Sequence, residues 1–236
     1  MNGGDRISVP EPIGVIADFQ MWFQRKVAGI TAEDFFSGPP ASEGMTSGIE
    51  LAGRIAAAIH KLHHAGMPAE KPHTMEDELR ILRECFAKVV AVKPAWTGRL
   101  AKLLVACEKL GASVVAPKLC GIHRDFYAAQ VIVDGDRIWL IDFDLYCLGD
   151  PGLDAGNFIG HLTEQALRER GEATALVDVE QALEDRFVEL SGEGVRASVR
   201  AYTALTLARH IFLSTRFPER AHLTERLLEL CEERLG

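Results

Sequence analysis

No stretch of this 236-residue chain approaches the roughly 18 uncharged apolar residues that a membrane-crossing helix needs, so the sequence offers no spanning segment. Its first residues, MNGGDRISVPEP, hold neither an apolar signal core nor an Arg-rich amphipathic pattern. The cytoplasm is therefore the expected location, with no membrane partner. Cysteine is scarce and unpatterned: Cys85, Cys107, Cys120, Cys147 and Cys231 are odd in number, widely spaced and without a C-x-x-C pair. That argues against a zinc clip or dithiol redox work and leaves reduced thiols in the core as the expectation. A basic stripe is also missing, because 26 Lys and Arg are scattered among 34 Asp and Glu, for a net charge of -8. A duplex nucleic-acid partner is excluded on that ground. Internal repeats and low-complexity segments are absent. Finally, no Lys precedes Lys26, and Gly3-Gly4 is the only glycine pair in the first residues.

What is present suits a soluble globular chain of one domain, or one domain with an appendage: 47% hydrophobic and 25% charged residues. The Gly, Pro and Ser of Ser37 to Ser47 mark a loop between a small piece and a large one. In the small piece, Ile13 to Ile16 and Met21 to Val27 read as a two-stranded hairpin, which cannot stand alone. In the large one, apolar residues recur at helical spacing from Ile49 to Leu62, with Gly66 and Pro68 as the stop. Amphipathic helices follow at Glu76 to Val90 and Trp96 to Leu110, and again at about 152–169, 176–191, 194–215 and 219–235. Between the two groups, residues 120–144 read as loop, strand, turn, strand, loop, with Asp134-Gly135-Asp136 as the hairpin turn.

That interval carries the chemistry. HRDFYAAQ, residues 123–130, is followed across one hairpin by IDFD, residues 141–144. The spacing matches the pattern in which a catalytic Asp precedes a metal-binding amide by five residues and a second strand delivers a metal-binding Asp. Asp125, Gln130 and Asp142 hold those places. Phosphoryl transfer asks for an oriented hydroxyl and for cations that neutralise charge on the phosphate oxygens. Asp125 would take the hydroxyl proton, and Asp142 would hold Mg2+, which prefers a few carboxylate oxygens and keeps its waters. Gln130 replaces the expected Asn, so its ligating oxygen moves by about a bond length and gains a rotor. Asp144 either shares the metal or holds the loop. His123 is assigned to the catalytic loop beside Asp125, fixing it by packing and hydrogen bonding rather than acting as a base. Downstream, in LGDPGLDAGNF, Asp150 reads as a helix cap and Asp154 as a buried carboxylate that accepts catalytic-loop N–H groups.

The run from His123 to Phe158 resembles the signature region of the aminoglycoside phosphotransferase and choline kinase-like superfamily, with the family's order and gaps over about forty residues. The likeness extends upstream, where VPEPIG (9–14), FQRKVAG (23–29) and HKLHHAG (60–66) are similar to the lead-in strand, the hinge strand and the end of the central helix. It implies an α+β, helix-dominated fold, a protein-kinase-like C-terminal lobe with small β-hairpins. By the same likeness residues 1–46 would be a remnant of the interlobe hairpin and hinge, and 47–236 the helical lobe with its catalytic loop at 120–144. ATP and Mg2+ would be the cofactors and a small molecule bearing a hydroxyl the acceptor, such as an aminoglycoside, a sugar or an amino alcohol. The backbone of Arg25 to Val27 would touch adenine. The family places a glycine-rich turn and a strand Lys before the hinge, and neither is found here. The chain is then a fragment, or takes its N-lobe from a partner or a second copy, or is a non-catalytic lobe that binds a small molecule or a protein.

Two bland readings sit beside these. His60, His63 and His64 share a helix face at a spacing that can grip a metal, but they read as core or helix-end histidines. Trp22, Phe23, Phe35 and Phe36 read as a hydrophobic cover over the lobe boundary.

Overall fold

The computed structural model describes residues 4–38, 47–115 and 117–236. The expected loop at Ser37 to Ser47 lies mostly outside those residues, as does Gly3.

The chain opens with four short strands, β1 (Ile7–Ser8), β2 (Pro12–Ile16), β3 (Met21–Gln24) and β4 (Ile30–Thr31), then a six-residue helix, α1 (Ala32–Ser37). The long helix α2 (Gly48–His63) follows. Its apolar side chains at Leu51, Ala52, Ile55, Ala56, Ile59 and Leu62 are all buried, and Ser47 caps it by accepting from the Glu50 N–H at 3.1 Å. After β5 (Pro72–His73) come α3 (Met75–Val92) and α4 (Thr97–Ala112), then four strands: β6 (Cys120–Ile122), β7 (Val131–Asp134), β8 (Arg137–Leu140) and β9 (Cys147–Gly149). Four helices close the chain, α5 (Gly152–Arg170), α6 (Val177–Ser191), α7 (Arg196–Arg216) and α8 (Thr224–Leu235). The fold is helix-dominated α+β, as the sequence led us to expect.

The Asp-Gly turn forms: Asp134 pairs with Arg137 across it, and Gly135 takes φ +57°, a conformation glycine adopts without steric cost. The β7–β8 hairpin is widened on both sides by the first residues of the chain. β1 runs parallel to β8, with Ile7 opposite Ile138, and β4 runs antiparallel to β7, with Ile30 opposite Val133. Ile7, Ala32 and Phe36 enter the same core as α2, α5 and α6. A second core joins α3, α4, α7 and α8.

The two cores meet where α5 lies on α7. Gly152, Gly156 and Gly160 fall one turn apart on α5, and a Cβ at Gly156 would stand 2.5 Å from the Val199 carbonyl oxygen and 2.7 Å from Tyr202 Cβ. Backbone-to-backbone approach at this crossing is thus possible only without side chains. One helix of six residues cannot hold itself together, and α5 supplies what α1 lacks. Gln165 donates to the Glu33 carbonyl (2.9 Å) and the Ser37 hydroxyl (2.9 Å), and Arg170 donates to the Phe36 carbonyl (2.7 Å).

Several expectations are corrected. Residues Cys120–Ile122, taken as loop, form a strand because β9 offers them a partner, Cys120 opposite Gly149. The expected strand to Val27 stops at Gln24, where its pairing with Pro12 ends. The helix expected from 219 begins as a 3-10 turn, Pro218–Leu223, and becomes α-helical at Thr224. The aromatic cover does not exist as one patch: Phe36 is 3% exposed in the core, whereas Trp22 and Phe23 are 46% and 41% exposed on β3. Among the described residues no layer covers either face of the β2–β3 ribbon, and Ile13 and Val15 are exposed as well.

The glycine crossing predicts opposite signs for one substitution. Gly156→Ala should lower unfolding free energy by about 1–3 kcal/mol through overpacking. Gly53→Ala, where the nearest heavy atom is Arg186 Cγ at 4.0 Å, should raise it by about 0.5–1 kcal/mol through reduced chain entropy. Urea denaturation of both variants measures this, and equal shifts would refute the crossing argument.

Candidate active site

Residues 123–130, within the loop region expected at 120–144, bridge β6 and β7, and their shape is imposed from below by α5. Asp154, fully buried in the first turn of α5, accepts from the backbone N–H of His123 (2.9 Å), the N–H of Arg124 (2.7 Å) and Nε2 of His63 on α2 (2.8 Å). Charge-assisted bonds of this kind are stronger than neutral ones. They hold Arg124 at φ +72°, a left-handed backbone that a side-chain-bearing residue adopts only when its surroundings dictate it. Asn157, one turn on, donates to the Phe126 carbonyl at 3.1 Å, while the Phe126 ring packs on Phe158. Asp150 acts one step further away: it accepts from the Gly152 N–H (2.8 Å) and the Ser198 hydroxyl (3.1 Å), tying the start of α5 to α7. Burial raises its pKa.

His123 is buried, its Nε2 donates to the Ile141 carbonyl at 2.8 Å, and its Nδ1 has no partner among the described residues. The ring lies between Phe126 and Phe143. It has no path to act as a base and works as a latch. The Ile141 N–H in turn donates to the Gln130 carbonyl at 3.1 Å, so the residue before Asp142 is bonded through both of its backbone groups. Asp142 follows at φ +64° with its side chain exposed. Gln130, buried, donates Nε2–H to Asp142 Oδ2 at 3.1 Å. The amide and the carboxylate therefore converge. A hard divalent cation uses one or two carboxylates and fills its remaining positions with water and phosphate oxygens, so this pair would fit one once the Gln130 amide turned to present its oxygen. Among the described residues no group of three His, Cys, Asp or Glu could hold an ion, and Asp144 is exposed in the turn and bonded to none of them. His60, His63 and His64 form no such group either: His60 meets Ser191 at 3.1 Å and His64 the His60 carbonyl at 2.8 Å.

Asp125 is half-buried, and its carboxylate bonds to none of the described residues. Burial raises its pKa, and Asp142 adds to the rise against the opposing pull of Arg209, His123 and Arg124. Arg209 on α7 is held in place by Asn157 Oδ1 (2.9 Å) and by Glu78 (3.3 Å), which also receives a bond from His73 at 2.6 Å. Nothing local in the sequence marks Arg209, Glu78 or His73, since helix packing brings in the first two and the pairing of β5 with β9 the third.

On the hinge side, Arg25 and Val27 line a cavity of about 500 Å³ with Trp139 of β8. The Arg25 N–H is already spent on the Glu11 carbonyl (2.8 Å), and its guanidinium pairs with the Glu11 carboxylate (2.7 Å). The backbone groups of Lys26 and Val27 bond to none of the described residues, and the Trp139 Nε1–H, though unpartnered, is buried. Trp139 went unnoticed in the sequence because it reads as an ordinary strand residue.

Comparison with known proteins now bears on the whole arrangement. Residues 3–202 match the model of the phosphotransferase enzyme family. No curated protein matches the chain in sequence. A choline/ethanolamine kinase family protein from Mesorhizobium loti superposes with a TM-score of 0.65 at 16% identity, over 95% of this chain and 72% of its own. A glucosamine kinase in complex with glucosamine, ADP and inorganic phosphate gives 0.63 at 15%, over 96% of this chain and 63% of its own, so this chain spans less than two thirds of that enzyme. The aminoglycoside-3'-phosphotransferase of type VIII gives 0.53 at 16%, over 87% and 74%. At these identities the likeness establishes the fold.

Asp154→Asn should be the most damaging isosteric change in the site, because an amide would leave a buried backbone N–H or His63 unpaired. We expect a loss of about 3 kcal/mol in unfolding free energy and faster amide exchange at His123 and Arg124, read by hydrogen-exchange mass spectrometry. Unchanged exchange would mean that the loop is held elsewhere.

Proposed function

The chain belongs to the phosphotransferase enzyme family, and from that premise we propose that it transfers the terminal phosphoryl group of ATP to a hydroxyl of a small molecule, with Mg2+ as cofactor. One observation carries this reading: an unbonded, half-buried Asp125 stands beside a converging Gln130–Asp142 pair, all on backbone latched through Ile141.

In this reading Asp125 accepts a hydrogen bond from the acceptor hydroxyl and takes its proton late, as the oxygen forms its bond to phosphorus and the bond to ADP breaks. Gln130 and Asp142 are the residues that would hold magnesium, which when bound neutralises charge on the phosphate oxygens; Asp144 is a further candidate. Gln130 must turn its amide to present oxygen. Lys26 and Val27 offer the purine its polar partners, and the ADP held by the related glucosamine kinase supports nucleotide use. The turn and Lys that cover the phosphates are contributed, on this proposal, by a further segment or partner chain docked on the β2–β3 ribbon. A lobe that binds without transfer is the second reading, favoured by one feature, the Gln130–Asp142 hydrogen bond that occupies the carboxylate internally.

Asp125→Ala should cut phosphoryl transfer about 10²–10⁴-fold while leaving ATP–Mg2+ binding by calorimetry unchanged; an unaltered rate would remove Asp125 from its role. The ionised carboxylate is the active form and its pKa is raised above the ordinary 3.8. The rate should therefore fall with decreasing pH earlier than an ordinary Asp would dictate. Asp142→Asn should abolish metal-dependent ATP binding, and ATP binding that survives this change would favour the second reading.

A further inference from the structure

Beside the catalytic loop lies a second cavity, of about 220 Å³, walled by α1, α5, α7 and the 3-10 turn at Pro218–Leu223. Tyr127, two residues beyond Asp125, forms part of its lining. Its volume is below the 300–1,000 Å³ of sites for drug-sized ligands, which limits an occupant to about one ring.

The two usual means of holding an organic cation are already taken here. A free carboxylate is one. Glu164 receives Arg168 Nε at 3.2 and 3.3 Å, and Glu33 receives the same guanidinium at 3.2 Å, with Arg220 another 4.0 Å from Glu164. An open aromatic face is the other. Tyr127 stacks on His161 at 4.7 Å and 21°, and Phe217 lies under the Arg220 guanidinium, 5.3 Å from its ring centre. A further cation would meet Arg168 and Arg220 at the wall and Arg209 behind it.

What remains open is neutral and hydrogen-bonding. His210, 2% exposed, lines the cavity with an Nε2 that has no partner. The Tyr127 hydroxyl bonds to none of the described residues. Burial, with the fields of Arg209, Arg220 and Arg168, lowers the His210 pKa to about 3, so its imidazole is uncharged at neutral pH. A buried nitrogen of this kind costs free energy until a ligand pairs it.

We propose that the acceptor of this site is a small uncharged polyhydroxy compound, of single-ring size or less, whose hydroxyls pair with His210 Nε2 and the Tyr127 hydroxyl. The proposal rests on the phosphotransferase reading for its use of Asp125, but the binding it requires is measurable without transfer.

Calorimetric titration of the chain with D-glucose and myo-inositol, and with choline and kanamycin, tests it. At least one polyol should bind and neither cation should bind more tightly. Tyr127→Phe should weaken the polyol about five- to tenfold, as should His210→Leu, while His210→Gln, which keeps a polar group, should restore it. Tyr127→Phe removes one oxygen and keeps the test valid if His210→Leu fails to fold. Tighter binding of choline or kanamycin, absence of polyol binding, or indifference to both substitutions would overturn the proposal. The two readings separate through ADP release and ATP binding. ADP formed with choline as acceptor would uphold transfer and sink the polyol assignment. Tyr127-dependent polyol binding, together with ATP binding that survives Asp142→Asn, would uphold the polyol assignment and sink transfer.

Discussion

The buried Asp154 carboxylate is the constraint on which the rest of the site depends. A buried carboxylate is tolerable only when its oxygens are met by donors, and here the partners are two successive N–H groups of the loop 123–130 and an imidazole from α2. Satisfying that charge sets where His123 and Arg124 lie. His123 then fixes Ile141, and Ile141 fixes the approach of Asp142. Two adjacent pairs on either side of the β7–β8 hairpin, 123–124 and 141–142, are thereby both referred to the position of the first turn of α5.

That helix serves three neighbours with three faces. Its glycines admit α7, its polar side chains near the C-terminal end grip α1, and its acidic and amide groups at the start hold the loop. The loop that carries Asp125 is thus braced by a regular helix, which holds side chains more precisely than a loop alone.

The long helices and the β7–β8 hairpin were readable because they carry a period: Leu51 to Leu62 repeats at helical spacing, and Asp134-Gly135 breaks two apolar runs with a turn. The spacing of Asp125, Gln130 and Asp142 was readable because all three sit within one short stretch of chain. β1, β4, β5, β6 and β9 were not, since strands of two or three residues have no period and exist only through partners distant in sequence. Arg209 and His210 were hidden for a related reason. Each reads as one more residue of an amphipathic helix, and only the register between α5 and α7 turns them toward Asp125, His161 and the cavity. The unpaired Trp139 nitrogen and the closed Arg25 N–H were likewise beyond any local pattern.

The Arg168 guanidinium, shared among Glu33, Glu164 and Glu169, is part of a cavity wall and also part of what fastens α1. Its partners on Glu33 and Glu169 are only half-withdrawn from solvent, so dissolved ions compete for them, whereas the apolar cores are indifferent to ionic strength at physiological concentrations. The shape of this recess is therefore coupled to the electrolyte around the molecule in a way its helices are not. Added salt would therefore loosen this wall, and with it the hold on α1, before it touched the apolar cores.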